Sequence, residues 1–398
     1  MLKLQNLKIS QGFFIFIIVW MNVLTPLSLD EYTPSLPAIL QSLNSSTVLM
    51  QLTVTCYMIG IFISQLFMGV LSDRYGRRRT ILCGIPIFML GSILCVISHT
   101  STMLLAGRVL QGLGIGGVGV MAGAVIADAF EGEDVQRVGG IMGTAYGFIA
   151  LAAPLIGGLI QDFLGWRANF GFLLLIAIFS YLLDLFFLPE THQTSERHTI
   201  SLSNLIKSFK HVLTHRYYML SAMCLALSWS SCVIFAVMGP FLVEEKLGYS
   251  ASQYGLFALL IGLGFLVGST CFTFGLKRIG ITGLKYVGII LMLSMGLILL
   301  ILPAIGYFNI VSVMLPVFCF MIGAGICFPL FYSAAMAAVP EYLGIANSLI
   351  GAQCMVWGCF VTAIITQLHA HSIFAMASVY LGVSIVLALV SAIPTCRK

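Results

Sequence analysis

Twelve stretches of this 398-residue chain are long and apolar enough to cross a lipid bilayer, and that pattern removes most folds from consideration. A spanning helix needs about 20 such residues. The runs lie near 12–38, 48–71, 79–98, 102–127, 136–161 and 167–188, then near 217–241, 252–276, 284–304, 310–338, 345–368 and 372–394. They are continuously apolar and do not alternate at every second residue, so they read as helices and not as strands of a barrel. The expected fold is an all-α membrane protein with twelve transmembrane helices in two six-helix bundles.

Charge decides which way the runs face. The stretch Gly69-Val-Leu-Ser-Asp73-Arg74-Tyr-Gly76-Arg77-Arg78-Arg79 packs arginines into a tight glycine-bearing turn between the second and third runs. Arginine resists translocation, so this turn is expected on the cytoplasmic side. Counting spans from it, the cytoplasmic segments hold Lys3, Lys8, Arg74, Arg77, Arg78, Arg79, Arg137, Arg197, Lys207, Lys210, Arg216, Lys277, Arg278, Lys285, Arg397 and Lys398, which is 16 of the 19 basic residues. Arg167 and Lys246 fall outside, and Arg108 falls within a span. Both termini are then cytoplasmic, in a multi-pass protein of the cell's inner (plasma) membrane. Lys3 and Lys8 precede the first run as in a signal peptide, but no small-residue cleavage site follows, so that run is expected to stay as a span.

Hydrophobic residues make up 60% of the chain and charged residues 8%, against about 25% charged in a soluble domain. The net charge of +5 is explained by sidedness, which leaves no nucleic-acid partner to invoke. The 11 cysteines, Cys396 among them, form no C-x-x-C pair and sit mostly in apolar runs, where cysteine behaves as a small hydrophobe. No metal cluster, nucleophile beside a base, or GKS/GKT phosphate loop is present, so no enzyme and no cofactor is expected.

One long polar interruption, Leu188 to Arg216, divides the chain into residues 1–188, a linker at 189–216 and residues 217–398. Inside the linker Leu202, Leu205, Ile206, Phe209, Val212 and Leu213 recur at helical spacing, with Ser203, Lys207 and Lys210 on the other side, as in a helix lying on the membrane surface. It serves either as that or as a plain tether. The halves also resemble each other: Pro37 to Gly76 and Pro240 to Gly280 each cover a loop, an apolar run and a basic turn. Arg278-Ile-Gly280 stands where Arg74-Tyr-Gly76 stands in the first half, without the aspartate.

A charge in the hydrocarbon region costs about 3 kcal/mol on insertion scales, so each one inside a span is a functional candidate. The candidates are Asp30 with Glu31 in the first span, Arg108 and Asp128 in the fourth, and Asp184 late in the sixth. The last six spans carry none. Asp184, about one turn from Pro189, is expected to reach the interface by snorkelling.

Four motifs resemble one known family. The G-x-x-x-D-R-x-G-R-R pattern of Gly69, Asp73, Arg74, Gly76 and Arg77 looks like the signature loop of the major facilitator superfamily of secondary transporters. Thr25-Pro26-Leu-Ser-Leu-Asp30-Glu31-Tyr32-Thr-Pro34-Ser-Leu36-Pro37 resembles the first span of its drug/proton antiporters of the bicyclomycin and chloramphenicol resistance (Bcr/CflA) type. Gly107-Arg108-Val-Leu-Gln111-Gly112-Leu-Gly114 looks like the fourth-span pattern R-x-x-Q-G-x-G. Gly143-x-x-x-Gly147 with Ala153-Pro154-Leu-Ile-Gly157-Gly158 resembles the fifth-span motif of exporters, with Ala153 in place of its usual glycine.

The resemblance implies proton-coupled efflux of small lipophilic drugs by alternating access. Asp30 would carry the proton, and Arg108, which cannot lose its own, would tune that carboxylate or order a water path to it. The plainer alternatives are a carboxylate hydrated at the outer mouth and an arginine that only bonds backbone. Pro26 and Pro34 loosen the helical ladder around Asp30. Glu31 departs from the family pattern and would face a neighbouring helix or outer water. Asp73, Arg77 and Asp128 would form a cytoplasmic latch, with Asp73 capping the helix that starts near Gly344-Ile-Ala-Asn347. Gly147, Pro154, Gly157 and Gly158 would pack and hinge the fifth span. Asn22, Glu31, Tyr32, Gln111, Tyr146, Trp229, Gln353 and Trp357 are candidates for the substrate cavity. In the second half only uncharged groups are on offer, Ser228, Ser231, Gln253, Tyr332 and Asn347 included.

Expected partners are a small-molecule substrate, protons and the bilayer, with the proton gradient in place of a cofactor and a monomer as the working form. A dedicated exporter of one metabolite, such as a siderophore or sugar, is the second transporter reading. A membrane sensor that has lost transport would lack the first-span carboxylate, and Asp30 is present.

Overall fold

The computed structural model describes residues 10–191, 202–368 and 372–393. Lys3, Lys8, Arg197, Cys396, Arg397 and Lys398 lie outside them. The described chain is helical throughout and has no strand. In order the helices are α1 (Gln11–Met21), α2 (Leu24–Asp30), α3 (Leu36–Ser42), α4 (Thr47–Tyr75), α5 (Arg77–Val96), α6 (Ser101–Ala129), α7 (Glu133–Leu164) and α8 (Trp166–Phe187). They continue with α9 (Leu202–Thr214), α10 (Arg216–Pro240), α11 (Ala251–Ala304), α12 (Ile310–Ala338), α13 (Leu343–Gln367) and α14 (Ile373–Ala392).

Local chemistry sets many of these ends. Thr100 Oγ1 accepts from the Met103 N–H at 3.3 Å to open α6, and reciprocal capping boxes open α11 (Ser250 with Gln253) and α12 (Asn309 with Ser312). Between α4 and α5 the chain reverses through Gly76 at φ 98°, a conformation that a side chain would disfavour. Beyond Pro240, α10 continues as a π turn over Phe241–Lys246.

Twelve separate runs become 11 continuous spans among the described residues, because the eighth and ninth runs fuse in the 54-residue α11. The basic turn expected there shrinks to one non-helical residue, Gly280 at φ 69° and ψ 173°. Gly280 still divides α11 into two stretches, 251–279 and 281–304, each of a length that can span. The first span departs from a simple helix in the other direction: α1, α2, a 3-10 turn and α3 share the stretch Gln11–Ser42.

The chain forms two compact units, Met1–Ser45 with Cys56–Ser201, and Ser46–Thr55 with Leu202–Lys398. In the first, α6 is the central element. Its glycine-rich face lets neighbouring backbones approach: a Cβ on Gly112 would stand 2.2 Å from the Tyr57 carbonyl of α4, and one on Gly114 would stand 2.3 Å from the Phe88 nitrogen of α5. In the second unit Gly268 of α11 and Gly325 of α12 play the same part for each other, each with a carbonyl of the facing helix 2.1 Å from where a Cβ would sit. There α10 is tied to α13 by Tyr218 Oη donating to the Ala346 carbonyl at 2.7 Å, and to α14 by Tyr380 Oη donating to the Ser231 carbonyl at 3.1 Å. In α9, Val212 is buried and Phe209 half-buried, while Lys207, Lys210 and also Leu213 are exposed.

Candidate functional site

Prolines break the first span at the two places their chemistry dictates. Pro26 has no N–H for the Asn22 carbonyl, and the helix stops at Met21 and restarts at Leu24. Pro34 likewise offers nothing to the Asp30 carbonyl. Thr33 Oγ1 donates to that oxygen instead, at 2.8 Å, and the chain tightens into a 3-10 turn over Thr33–Ser35. Asp30 therefore ends α2 as a half-buried residue, and Glu31 and Tyr32 follow it into the interior at 0% exposure.

Arg108, on α6, is also 0% exposed. Its Nη1 donates to Gln111 Oε1 at 2.7 Å and its Nη2 to the Ser28 carbonyl, two residues before Asp30, at 3.0 Å. Its guanidinium carbon lies 4.1 Å from the ring centre of Tyr32 and 4.2 Å from that of Tyr57, over the face of each ring. Gln111 is held in turn by donating to Ser92 Oγ at 2.8 Å. Among the described residues Arg108 forms no ion pair with either Asp30 or Glu31. A desolvated cation–π contact is worth about 2 kcal/mol and a charged hydrogen bond about 1.5–3 kcal/mol, enough together to hold a buried cation without a bound anion.

Glu31 packs its backbone against α7, where a Cβ on Gly157 would fall 1.5 Å from the Glu31 carbonyl oxygen. Neither oxygen of its carboxyl group has a hydrogen-bond partner among the described residues. Asn169 of α8 braces the same junction, donating to Ser35 Oγ at 2.7 Å and to the Gly157 carbonyl at 3.2 Å. Pro154 and Gly158 are buried beside it in α7, whereas Gly143 and Gly147 face open space. Asn22 lies buried opposite Gly119 of α6, its Oδ1 unpaired. Asp184 does not snorkel: it is 1% exposed with both carboxyl oxygens unpaired. The reason is its place on the face of α8 that packs inward with Ser180, Leu183 and Ala177, so its short side chain cannot reach water.

The charged turn forms a second cluster in the first unit. Arg77 pairs with Asp73 and, through Nε at 3.2 Å, with Asp128, and donates to Ser72 Oγ at 2.5 Å. Arg77's own N–H, the first of α5, donates to Glu190 Oε1 at 2.8 Å, an acid at a helix N-terminus as the helix dipole favours. Thr191 Oγ1 donates to Asp128 Oδ2 at 3.3 Å, and Arg78 Nη2 to the Leu185 carbonyl at 2.6 Å. Arg74 is exposed over the Tyr75 ring, and Gly69 meets nothing within 4 Å. Sequence reasoning missed Glu190 and Thr191, whose only signal was a polar pair after Pro189. It also missed Tyr57, one aromatic among many in an apolar run.

The polar groups of the second unit are mostly occupied. Gln253 caps α11, and Ser228 and Ser231 donate to carbonyls of their own helix. Tyr332 Oη donates to Asn347 Oδ1 at 3.1 Å. Trp229 is half-buried, Trp357 stacks edge-on with Phe360, and Gln353 reaches Met219 Sδ at 3.2 Å while its Oε1 stays unpaired. In the first unit Tyr146 of α7 is 37% exposed.

A set of apolar spans whose first is broken around an acid, with a buried arginine on α6, is the architecture of a polytopic membrane protein. The family model described as Major Facilitator Superfamily matches residues 12–363, and the chain belongs to that superfamily. Relatives and solved structures that it matches are described as transporters. It is 30% identical over 258 residues to the multidrug resistance protein MdtL of Escherichia coli O139:H28, covering 64% of this chain and 65% of the relative. It is 29% identical over 256 residues to the uncharacterized MFS-type transporter YdgK of Bacillus subtilis, covering 64% of each. The match thus spans a little under two thirds of the length of these curated relatives. Among solved structures it is similar in fold to a D-xylose-proton symporter (TM-score 0.69, 17% identity, 94% and 97% of the two chains covered). The partially occluded, inward-open xylose transporter XylE of E. coli is similar too (TM-score 0.71, 15% identity, 97% and 99% covered).

Proposed function

We propose that this transporter is a proton-coupled antiporter of the bicyclomycin and chloramphenicol resistance type, exporting small lipophilic compounds across the inner membrane by alternating access. The reading rests on Asp30. Of the acids that the sequence places within spans, Glu31 and Asp184 are buried and Asp128 is paired with Arg77, whereas Asp30 is half-buried at the end of α2 and, among the described residues, carries no ion pair. Such a carboxyl group can exchange a proton for a cationic or neutral substrate. Arg108 supplies a permanent positive charge nearby, and the Pro26 and Pro34 breaks free the backbone on both sides of it. The arginine turn keeps Asp73, Arg77 and Asp128 together as a latch on the cytoplasmic side. Export of drugs, as opposed to uptake, is supported by the likeness to MdtL and by the Pro154-Leu-Ile-Gly157-Gly158 stretch.

The test is transport in proteoliposomes with an imposed pH gradient and a panel of unrelated lipophilic drugs and dyes. Several compounds should move against their own gradients, each dissipating the pH gradient as it moves. A single responsive metabolite would make the protein a dedicated exporter, and movement indifferent to the pH gradient would overturn proton coupling.

A further inference from the structure

We propose that Tyr57 and Tyr32 form an aromatic cradle that positions Arg108, satisfying its charge with ring faces so that the arginine does not bind Asp30 as an ion pair. The inference rests on the proton-coupling reading of Asp30 and names the residues that make it work.

Three elements build the cradle: Tyr57 from α4, Tyr32 from the turn that follows α2 and Arg108 from α6. The guanidinium lies over both rings at 4.1 and 4.2 Å, and all three side chains are 0% exposed. Both rings are fixed from behind. Tyr57 Oη lies within hydrogen-bond reach of the Thr25 carbonyl, at 3.1 Å, and of Ser28 Oγ, which is 2.6 Å from the Leu24 carbonyl, so the two hydroxyl protons are shared among three contacts that tie the ring to α2. Tyr32 packs on Phe170 of α8 with ring centres 5.5 Å apart.

An arginine this buried would ordinarily be matched by a carboxylate, because its charge is otherwise costly. Here two quadrupoles, one carbonyl and one amide oxygen do that work, and among the described residues its Nε has no acceptor. None of these partners is an anion. The arginine therefore keeps its full positive charge and a fixed place without occupying Asp30. Were the cradle removed, the first-span carboxyls of Glu31, whose two oxygens are otherwise unsatisfied among the described residues, and of Asp30 would be open to Arg108, and a pair with Asp30 would compete directly with the proton. Tyr57 is the cleaner of the two positioning residues, since it lies outside the first span.

The experiment compares Tyr57→Leu, Tyr57→Phe and wild type in proteoliposomes, measuring both transport driven by a pH gradient and substrate exchange at equal pH. Tyr57→Leu removes one of the two ring faces and should lower gradient-driven transport about tenfold relative to exchange, a change of about 1.4 kcal/mol. Tyr57→Phe, which keeps the ring face, should recover most of that ratio. In an Arg108→Gln background the Leu substitution should add no further change in the ratio. If Tyr57→Leu lowers both activities in proportion, or Tyr57→Phe behaves like Tyr57→Leu, the cradle is merely structural and the proposal falls. Asp30→Asn runs alongside: if it still pumps, the coupling reading has failed first, and if it does not while Tyr57→Leu matches wild type, only the cradle has failed.

Discussion

Thr33 Oγ1 donates to the carbonyl of Asp30 at 2.8 Å, covering the oxygen that Pro34 cannot serve. The break that presents Asp30 is thus stabilised by its own neighbour. Pro34→Ala would restore an N–H worth about 1 kcal/mol to that carbonyl and let α2 run on. Gradient-driven transport should fall several-fold, with the thermal unfolding midpoint in detergent unchanged or higher. Unaltered transport would show that the break plays no part in coupling.

The two ends of the fifth-span motif should respond oppositely to the same substitution. A Cβ at position 157 would fall 1.5 Å from the Glu31 carbonyl oxygen, so Gly157→Ala must force α7 away from the first span, at a cost of about 1–3 kcal/mol. At Gly147 a Cβ meets nothing within 4 Å. Thermal unfolding of the purified variants should show a lowered midpoint for Gly157→Ala and a midpoint for Gly147→Ala no lower than wild type.

Arg77 and Asp128 should be coupled in a double-mutant cycle. Their side chains are 11% and 23% exposed, so solvent screens the pair only in part. Arg77→Gln with Asp128→Asn should give a coupling energy of about 0.5–1.5 kcal/mol in unfolding, shrinking in high salt. Strict additivity would remove this pair from the latch.

Asp184 offers a stability test. A buried polar group without a partner costs about 1–3 kcal/mol, and among the described residues Asp184 has none for either oxygen. Asp184→Leu should raise the unfolding midpoint and leave transport intact. A stable variant that no longer transports would make Asp184 part of the mechanism.

The spans and the class of fold were legible because lipid leaves the backbone only helices or a closed barrel, and the apolar runs never alternated. The breaks around Asp30 were legible for the same kind of reason, since proline's missing donor acts through its own chain. Loop-mediated contacts were not. Glu190 meets Arg77 across 113 residues of sequence, and nothing local announces that encounter. Burial was equally silent: adjacent Asp30 and Glu31 look alike in sequence, yet one is half-buried and the other sealed against α7. Asp184 was misjudged because nearness to a helix end does not reveal which face a residue occupies. Gln253 and Ser228 were read as free polar groups, whereas a cap and a backbone carbonyl had already taken them.

The most direct test of the account is Asp30→Asn in everted membrane vesicles under an imposed pH gradient, with protein level and substrate exchange at equal pH measured in parallel. The account predicts that accumulation against a gradient disappears while protein level and exchange persist. Accumulation at the wild-type rate would contradict it.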